Sequence, residues 1–291
     1  MYHKKQSHTY IKQNNPIPSL SPPRDYNNYI QVRYFQKKSS KEMIIMLYTK
    51  IGSGRPVIFL PGLFAGGWIW NAVVKKVIDA DYSAIVINEP IPVTFSGSYK
   101  KANDILQEVV EACDEAPYLV GNSLGSLIAL HYTSLNQSRI KGLVMSGAPG
   151  QIEADSGVSL SELRTGNKKY ALALLDKIFF DKTKIPQNGI DEISYLFSND
   201  QVHKNIVRWL SFSRKYDVPT VLNKITIPVN LIWGEHDMLT PVEPWISLSQ
   251  IQRHVTMSII KNCGHSPMLE KPNVFLEELL FHLNSKVLSE S

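Results

Sequence analysis

Between residues 57 and 145, short apolar stretches of strand length alternate with longer amphipathic segments. Strands are predicted at 57–60, 84–88, 118–121 and 140–145, and helices near 68–79, 99–115 and 124–135. Such alternation is typical of a parallel sheet covered by helices on both faces. Because the crossovers between parallel strands are right-handed, the loops that follow the strands share one edge of the sheet. The pattern predicts an α/β fold with its chemistry just after the strands.

Different patterns flank and interrupt this alternating region. Two β-prone runs at 29–35 and 43–48 are predicted to pair as an antiparallel hairpin at the sheet edge. Residues 151–225 show helical patterns and no convincing strand, whereas strands return at 228–233 and 255–260, with helices near 241–250 and 273–287. We therefore expect a core formed by 29–150 and 226–291 and an inserted helical cap at 151–225.

The positive charge of the chain is concentrated at its N-terminus. Residues 1–41 contain eight Lys or Arg and one acid, and the remainder holds 23 basic and 25 acidic residues. Residues 1–28 are also rich in polar residues and Pro, a composition that buries too little apolar area to fold. We expect a flexible polar, basic extension at 1–28, and no nucleic-acid partner, because the body is nearly neutral.

The cysteine content and the hydropathy of the chain indicate the cellular compartment. The two cysteines, Cys113 and Cys263, form no disulfide framework and lack Cys-x-x-Cys spacing. The polar N-terminus lacks the apolar region of a secretory signal, and the longest apolar stretch, 57–70, is interrupted by Pro and Gly. We expect a cytoplasmic protein without stable membrane insertion.

The most specific motif is Gly121-Asn122-Ser123-Leu124-Gly125, which has the form Gly-x-Ser-x-Gly and lies between a predicted strand and a predicted helix. A nucleophile on such a strained turn needs small residues two positions away on either side. The motif alone fits a glycine-rich turn with a capping serine equally well. However, Asp237 follows the strand at 228–233 and His265 follows the strand at 255–260, in the chain order that a Ser, acid, His triad requires in this type of fold.

Together these motifs resemble the α/β-hydrolase superfamily, in its serine-nucleophile branch with a helical cap. Gly234-Glu235-His236-Asp237 resembles the acid loop of that family, and Gly264-His265-Ser266-Pro267 resembles its histidine loop. The resemblance implies an α/β-hydrolase fold, a mostly parallel doubly wound sheet with an inserted helical cap. It also implies that Ser123 is the nucleophile, His265 the general base and Asp237 the carboxylate that orients it. Ser123 argues against the epoxide hydrolases and haloalkane dehalogenases of this scaffold, which use an aspartate nucleophile.

Two loops depart from the family pattern. Leu60-Pro61-Gly62-Leu63-Phe64 occupies the place where the family carries His-Gly before an oxyanion-hole residue, and Pro61 replaces the histidine. The backbone N–H groups of Leu63 and Leu124 are our candidates for the oxyanion hole, although the segment could be an ordinary glycine-rich loop. Residues 89–96 replace the usual Asp and glycine-rich loop, which leaves the subfamily open.

Other side chains near the motifs allow competing interpretations. Glu235 is an alternative to Asp237 as the acid, and Cys263 is a conceivable thiol nucleophile that lacks an elbow around it. Phe64, Asn122 and Trp209 are candidates for the wall of the substrate pocket.

Histidines outside the proposed triad offer little for metal binding. His131, His203 and His254 lie in unrelated segments without ligand spacing. We therefore expect no metal and no other cofactor.

These features favour a serine hydrolase that cleaves a small-to-medium carboxylic ester or thioester through an acyl-enzyme on Ser123. Its partner would be a small-molecule acyl substrate, either free or linked to a carrier. Cleavage of carbon-carbon bonds by a hydrolase or lyase, and acyl transfer, stay open because the same triad supports them. A non-catalytic ligand receptor is the alternative from another functional class.

Overall fold

The computed structural model describes residues 31–36, 45–150 and 159–285, and it contains one eight-stranded sheet. The strands are β1 (Gln31–Gln36), β2 (Ile45–Ile51), β3 (Arg55–Leu60), β4 (Tyr82–Ile87), β5 (Tyr118–Asn122), β6 (Gly142–Ser146), β7 (Val229–Gly234) and β8 (Val255–Ile260). Their spatial order is β1-β2-β4-β3-β5-β6-β7-β8. β2 is antiparallel to β1 and β4, and all other pairs are parallel. The mostly parallel α/β-hydrolase sheet expected from the sequence is therefore confirmed.

Helices cover both faces of this sheet. They are α1 (Asn71–Asp79), α2 (Ile91–Thr94), α3 (Tyr99–Glu111), α4 (Leu124–Leu135), α5 (Leu160–Leu163), α6 (Lys168–Ile178), α7 (Gln187–Ser198), α8 (Asp200–Ser213), α9 (Val218–Leu222), α10 (Val242–Ile251), α11 (Pro267–Glu270) and α12 (Pro272–Asn284). Ile58 and Leu119 belong to a core shared with α3, α4 and α10. Their strand neighbours Val57 and Val120 point to the other face, where they join a core with α1 and α12. Burial on both faces explains why the central strands read as continuous apolar runs.

Helices α5 to α9 connect β6 to β7, and the parts of this connection that the structure describes, 147–150 and 159–228, contain no strand. The division into core and cap at 150/151 and 225/226 stays a prediction. The first eight residues expected in the cap, 151–158, lie outside the described residues, as does the predicted extension at 1–28.

Several boundaries differ from the sequence-based expectations. The predicted antiparallel pairing of the two N-terminal strands is confirmed, with the strands at β1 and β2. The helical pattern at 160–180 is two helices, because Gly166 between them has φ +70°, a conformation outside the helical region. α2 was not predicted, although Pro92 is compatible with the first turn of a helix, where its missing N–H costs nothing.

Long apolar helices are also missing from the described ranges. None of the helices within 31–36, 45–150 and 159–285 has both the length and the apolar character that crossing a bilayer requires.

Candidate active site

Ser123 lies on a strained turn between the end of β5 and the start of α4. Its φ and ψ are 54° and −126°, and its N–H donates to the Ser146 carbonyl oxygen at 2.7 Å. A Cβ on Gly121 would lie 2.4 Å from the Ser126 nitrogen, and a Cβ on Gly125 would lie 2.2 Å from the Pro61 carbonyl oxygen. Both glycines are therefore required by close backbone contacts, which is the arrangement expected for a nucleophile elbow.

His265 and Asp237 meet behind the cavity that Ser123 borders. His265 Nδ1 lies 2.8 Å from Asp237 Oδ2, and both side chains are buried. Thr240 Oγ1 donates to Asp237 Oδ2 at 2.7 Å, and the N–H groups of Leu239 and Thr240 donate to Oδ1, each at 2.9 Å. A carboxylate surrounded by donors accepts the Nδ1 proton of the imidazole, so Nε2 is left as the basic nitrogen. Sequence reasoning missed Thr240, whose role depends on a turn only three residues beyond Asp237.

Gly147, at the end of β6, leaves room for the imidazole. Its φ is +59°, and a Cβ at this position would lie 2.7 Å from His265 Cε1 and 2.8 Å from Nδ1. Real Cβ atoms do not approach other heavy atoms this closely, so only glycine permits the ring to lie against this backbone segment.

The histidine loop is attached to the end of α6. His265 N–H donates to the Ile178 carbonyl oxygen at 2.7 Å. The buried Glu270 accepts from Gly264 N–H through Oε1 at 2.8 Å, and from Phe180 and Asp181 N–H through Oε2 at 3.0 and 2.9 Å. Burial raises the pKa of the Glu270 carboxyl, and the three donors oppose that rise. Glu270 therefore holds together the loop that carries His265 and the chain that leaves α6.

A mainly apolar cavity joins these elements. It is lined by Leu63, Phe64, Ser123, Leu124, Pro149, Leu160, Leu163, Leu174, Trp209, Leu210, Ser213, Arg214, Leu239, Thr240 and His265. Ser123 and His265 thus border one space, together with four other residues singled out from the sequence: Leu63, Phe64, Leu124 and Trp209. The side chains that α5, α6 and α8 contribute to the lining are leucines, Trp209 and one polar residue, Ser213. Arg214, which also lines the cavity, directly follows α8. This composition suits an apolar ligand with a polar group near Ser123.

Asn122 is not among the residues that line the cavity, and its assignment to the substrate pocket stays a prediction. Its side chain is 4% exposed, and Nδ2 lies 3.2 Å from the His265 carbonyl oxygen and 3.4 Å from that of Ser146. Because β5 alternates its side chains between the two faces, Asn122 points into the protein next to the nucleophile. Its amide connects the elbow to the histidine loop.

The two candidate oxyanion donors come from two different segments that border the same cavity as Ser123. Leu124 is the first residue of α4, where N–H groups have no partner within the helix. Leu63 follows Gly62, whose carbonyl oxygen accepts from Ile91 N–H at 3.3 Å. A Cβ added to Gly62 would lie 3.3 Å from Ser123 Cβ, so this segment runs close to the serine. Within the described ranges, neither the Leu63 nor the Leu124 N–H has a hydrogen-bond acceptor. Their role stays a prediction.

The other nucleophile, acid and histidine that the sequence offered make different contacts. Burial raises the pKa of the Cys263 thiol to about 12, which leaves it protonated and unreactive at neutral pH. Glu235 accepts from Asn262 N–H at 3.1 Å and pairs with His236 rather than with His265. His131 contacts the Tyr216 hydroxyl at 3.1 Å in an aromatic cluster. In the described part of the chain, no group of three or more His, Cys, Asp or Glu side chains is arranged to hold a metal ion.

Comparison with known proteins gives matches over most of the chain. The alpha/beta hydrolase family matches residues 57–278. A 2-hydroxy-6-oxononadienedioate/2-hydroxy-6-oxononatrienedioate hydrolase from Dechloromonas aromatica is 24% identical over 265 residues, covering 84% of this chain and 88% of that protein. A pimeloyl-[acyl-carrier protein] methyl ester esterase from Wigglesworthia glossinidia brevipalpis is 24% identical, covering 80% of this chain and 95% of that protein. The structure of an esterase from Exiguobacterium antarcticum has a TM-score of 0.66 at 22% identity, covering 82% of this chain and 95% of that one.

Proposed function

The chain belongs to the alpha/beta hydrolase family, and from that premise we propose that it hydrolyses a small-to-medium carboxylic ester or thioester through an acyl-enzyme on Ser123. The observation that supports this most strongly is the 2.8 Å contact between His265 Nδ1 and Asp237 Oδ2 beside the cavity that Ser123 borders. This contact directs the other imidazole nitrogen to act as a base.

Each group has a defined role in the proposed reaction. His265 Nε2 takes the proton of the Ser123 hydroxyl as Oγ attacks the carbonyl carbon, and Asp237 stabilises the imidazolium that forms. The oxygen that becomes negative is stabilised by the N–H groups of Leu63 and Leu124. Collapse of the tetrahedral intermediate breaks the bond to the alcohol or thiol, which leaves with the proton from His265. Water, deprotonated by His265, then attacks the acyl carbon and releases the acid.

The cavity favours an apolar acyl group. Leu160, Leu163, Leu174 and Leu210 contribute hydrocarbon surface, and a methylene group that leaves water for such a surface gains about 0.8 kcal/mol. In this proposal, the helices between β6 and β7 form a cap that selects the acyl group. A carrier-linked substrate stays possible, since one relative is named for a carrier-linked methyl ester. The cytoplasmic location expected from the sequence stays a prediction.

Hydrolysis of a carbon-carbon bond is a second candidate. It is supported by the Dechloromonas aromatica relative, which is named for a 2-hydroxy-6-oxononadienedioate. The same Ser, His and Asp arrangement serves either reaction, so the substrate decides between them. Acyl transfer to an acceptor other than water requires the same acyl-enzyme.

The experiment combines covalent labelling with a substrate panel. We expect a fluorophosphonate probe to label the wild-type protein and the Ser247→Ala control, whose hydroxyl is exposed on α10, but not Ser123→Ala. Activated esters of increasing acyl length should be hydrolysed with the same dependence on Ser123, and 2-hydroxy-6-oxononadienedioate tests the second candidate. Retention of the full ester rate by Ser123→Ala would refute the mechanism. A wild-type protein that stays unlabelled would instead support a ligand receptor.

A further inference from the structure

A partly buried carboxylate of α7, that of Glu192, contacts the loop that carries Leu63. Glu192 Oε1 accepts from Gly66 N–H at 3.0 Å, and Glu192 Oε2 accepts from Trp68 Nε1 at 2.6 Å. Both donors lie in the connection between β3 and α1, more than 120 residues away in the sequence. Hydrogen bonds to an ionised acceptor are about twice as strong as neutral ones, so this carboxylate is a firm point of attachment.

The other contacts of this loop are made partly by residues after β4 and partly by α7. The core holds it at its two ends, where the Gly62 carbonyl oxygen accepts from Ile91 N–H and Gly67 N–H donates to Asn88 at 2.7 Å. Between these points, α7 makes a second contact through Phe197, whose ring centroid lies 5.7 Å from that of Phe64. Phe64 follows Leu63 directly, and both line the cavity beside Ser123. The path of residues 63–66 is therefore set partly by α7.

We propose that Glu192 is a positioning residue for the oxyanion hole, holding residues 66–68 so that the Leu63 N–H stays directed at the substrate carbonyl oxygen. This inference rests on the proposed acyl-enzyme chemistry of Ser123. Glu192 touches no reacting atom in this scheme. It acts through the backbone of the loop, and it makes the shape of the oxyanion hole depend on the position of α7.

The surroundings of Glu192 make this attachment sensitive to pH. Burial and the negative charge of Glu89 raise the pKa of its carboxyl, the bonds from Trp68 and Gly66 lower it, and the net pKa is about 7. Glu89 lies after β4, and burial raises its own pKa. Among the described residues, no charged side chain of α6 or α8 contributes to the shift. A protonated Glu192 has one hydroxyl oxygen, which is a weaker acceptor than a carboxylate oxygen, so the bonds from Gly66 and Trp68 strengthen as pH rises through about 7.

The kinetic test uses Glu192→Gln, which keeps the size of the side chain but replaces one acceptor oxygen with a donor NH₂ group. Loss of a whole oxyanion donor costs about 10²–10³-fold in kcat, so a displaced donor should lower kcat for an activated ester by about tenfold. KM should change by less than about threefold, because the ground-state carbonyl depends less on this donor. The matched control is Asp191→Asn on the same helix, whose exposed carboxylate pairs with Lys168. It should retain wild-type kinetics, because exposed pairs contribute little.

A second variant isolates one of the two bonds. Trp68→Phe removes the indole N–H while keeping a ring, so its kcat should fall between those of the wild type and Glu192→Gln. Residues that act through one contact are not additive, and the double variant should therefore lose little beyond Glu192→Gln alone. A purely structural role of Glu192 would lower the melting temperature of both variants but leave kcat and its pH profile unchanged.

A spectroscopic measurement follows the contact without substrate. The Trp68 indole N–H resonance, assigned by its absence in Trp68→Phe, should shift with a midpoint near pH 7 in the wild type and stay constant in Glu192→Gln. In the wild type, kcat should rise with pH with the same midpoint, and this rise should be absent in Glu192→Gln. Normal kcat in a folded Glu192→Gln protein, or an indole resonance that does not titrate, would overturn the inference. If Ser123 is labelled at the wild-type rate in Glu192→Gln, only this inference fails, whereas an unlabelled wild-type protein overturns the proposed function.

Discussion

Replacing Gly147 by alanine is expected to disable His265 without unfolding the protein. The added Cβ would lie 2.7 Å from His265 Cε1 and 2.8 Å from Nδ1, whereas ordinary van der Waals contact begins at 3.4 Å. The imidazole must therefore retreat by roughly 0.7 Å, or the backbone must shift by as much. Either movement stretches the contact with Asp237 and alters the approach of Nε2 to Ser123.

The expected loss follows from this displacement. A misplacement of about 1 Å in a catalytic group can cost about 10²-fold in rate, so kcat/KM for an activated ester should fall by about 10- to 100-fold. Alanine at φ +59° also adds about 1–2 kcal/mol of backbone strain to the folded state, which should lower the melting temperature. The strain accounts for a loss of stability, while the displaced imidazole accounts for the loss of rate.

Gly166→Ala separates these two effects. Its φ is +70°, similar to that of Gly147, but the nearest atom to an added Cβ is Ser198 Cβ at 3.8 Å. Both variants should lose thermal stability in calorimetry, Gly147→Ala by more because of its contact with His265, and only Gly147→Ala should lose ester hydrolysis and slow the fluorophosphonate labelling of Ser123. Equal activities in the two alanine variants would refute the steric argument.

Two further substitutions test other parts of the site and the core. Asp237→Asn should lower kcat by about 10⁴-fold in steady-state ester hydrolysis while its circular dichroism stays normal, since an amide no longer holds the Nδ1–H tautomer; a loss below tenfold would contradict this role. Burial lowers the pKa of His282 from its ordinary value of 6.5 to about 4, so the neutral form is favoured in the folded state. The wild type should therefore lose about 3 kcal/mol of unfolding free energy through this residue as pH falls from about 6.5 to about 4. Urea denaturation at a series of pH values should show that His282→Leu lacks this part of the loss. Identical pH dependences in the two proteins would exclude this source of acid sensitivity.

The nucleophile elbow could be predicted because its signal is local. Gly121, Ser123 and Gly125 meet within one turn, and the strand and helix on either side are visible as apolar periodicity. Asp237 and His265 are distant in the sequence, but the α/β order fixes which sheet edge each of them reaches. Chain order therefore predicted three residues of which Ser123 and His265 border one cavity, while Asp237 contacts His265 from behind it.

Side-chain direction and remote backbone partners were not accessible in the same way. Asn122 is next to Ser123, yet its side-chain amide donates to the carbonyl oxygen of His265, 143 residues away in the sequence. Glu270 and Glu192 act on backbone N–H groups about 90 and 126 residues away, respectively. A backbone N–H is present at every residue except proline, so no sequence pattern marks which one will receive a carboxylate. These acids were missed for that reason.

The contacts of Glu192 and Glu270 give the helices between β6 and β7 a role in both halves of the proposed reaction. The end of α6 holds the histidine loop through Ile178 and Glu270, while α7 holds the loop of Leu63 through Glu192. Leu174 of α6 also lines the cavity, so in the proposed reaction one of the helices that would contact the acyl group is attached to the loop of His265. Packed interfaces transmit small displacements because interiors are dense and contain few voids. An acyl group that displaces α6 or α7 would therefore change the alignment of His265 or of the Leu63 N–H, and acyl selectivity would be expressed in kcat as well as in binding.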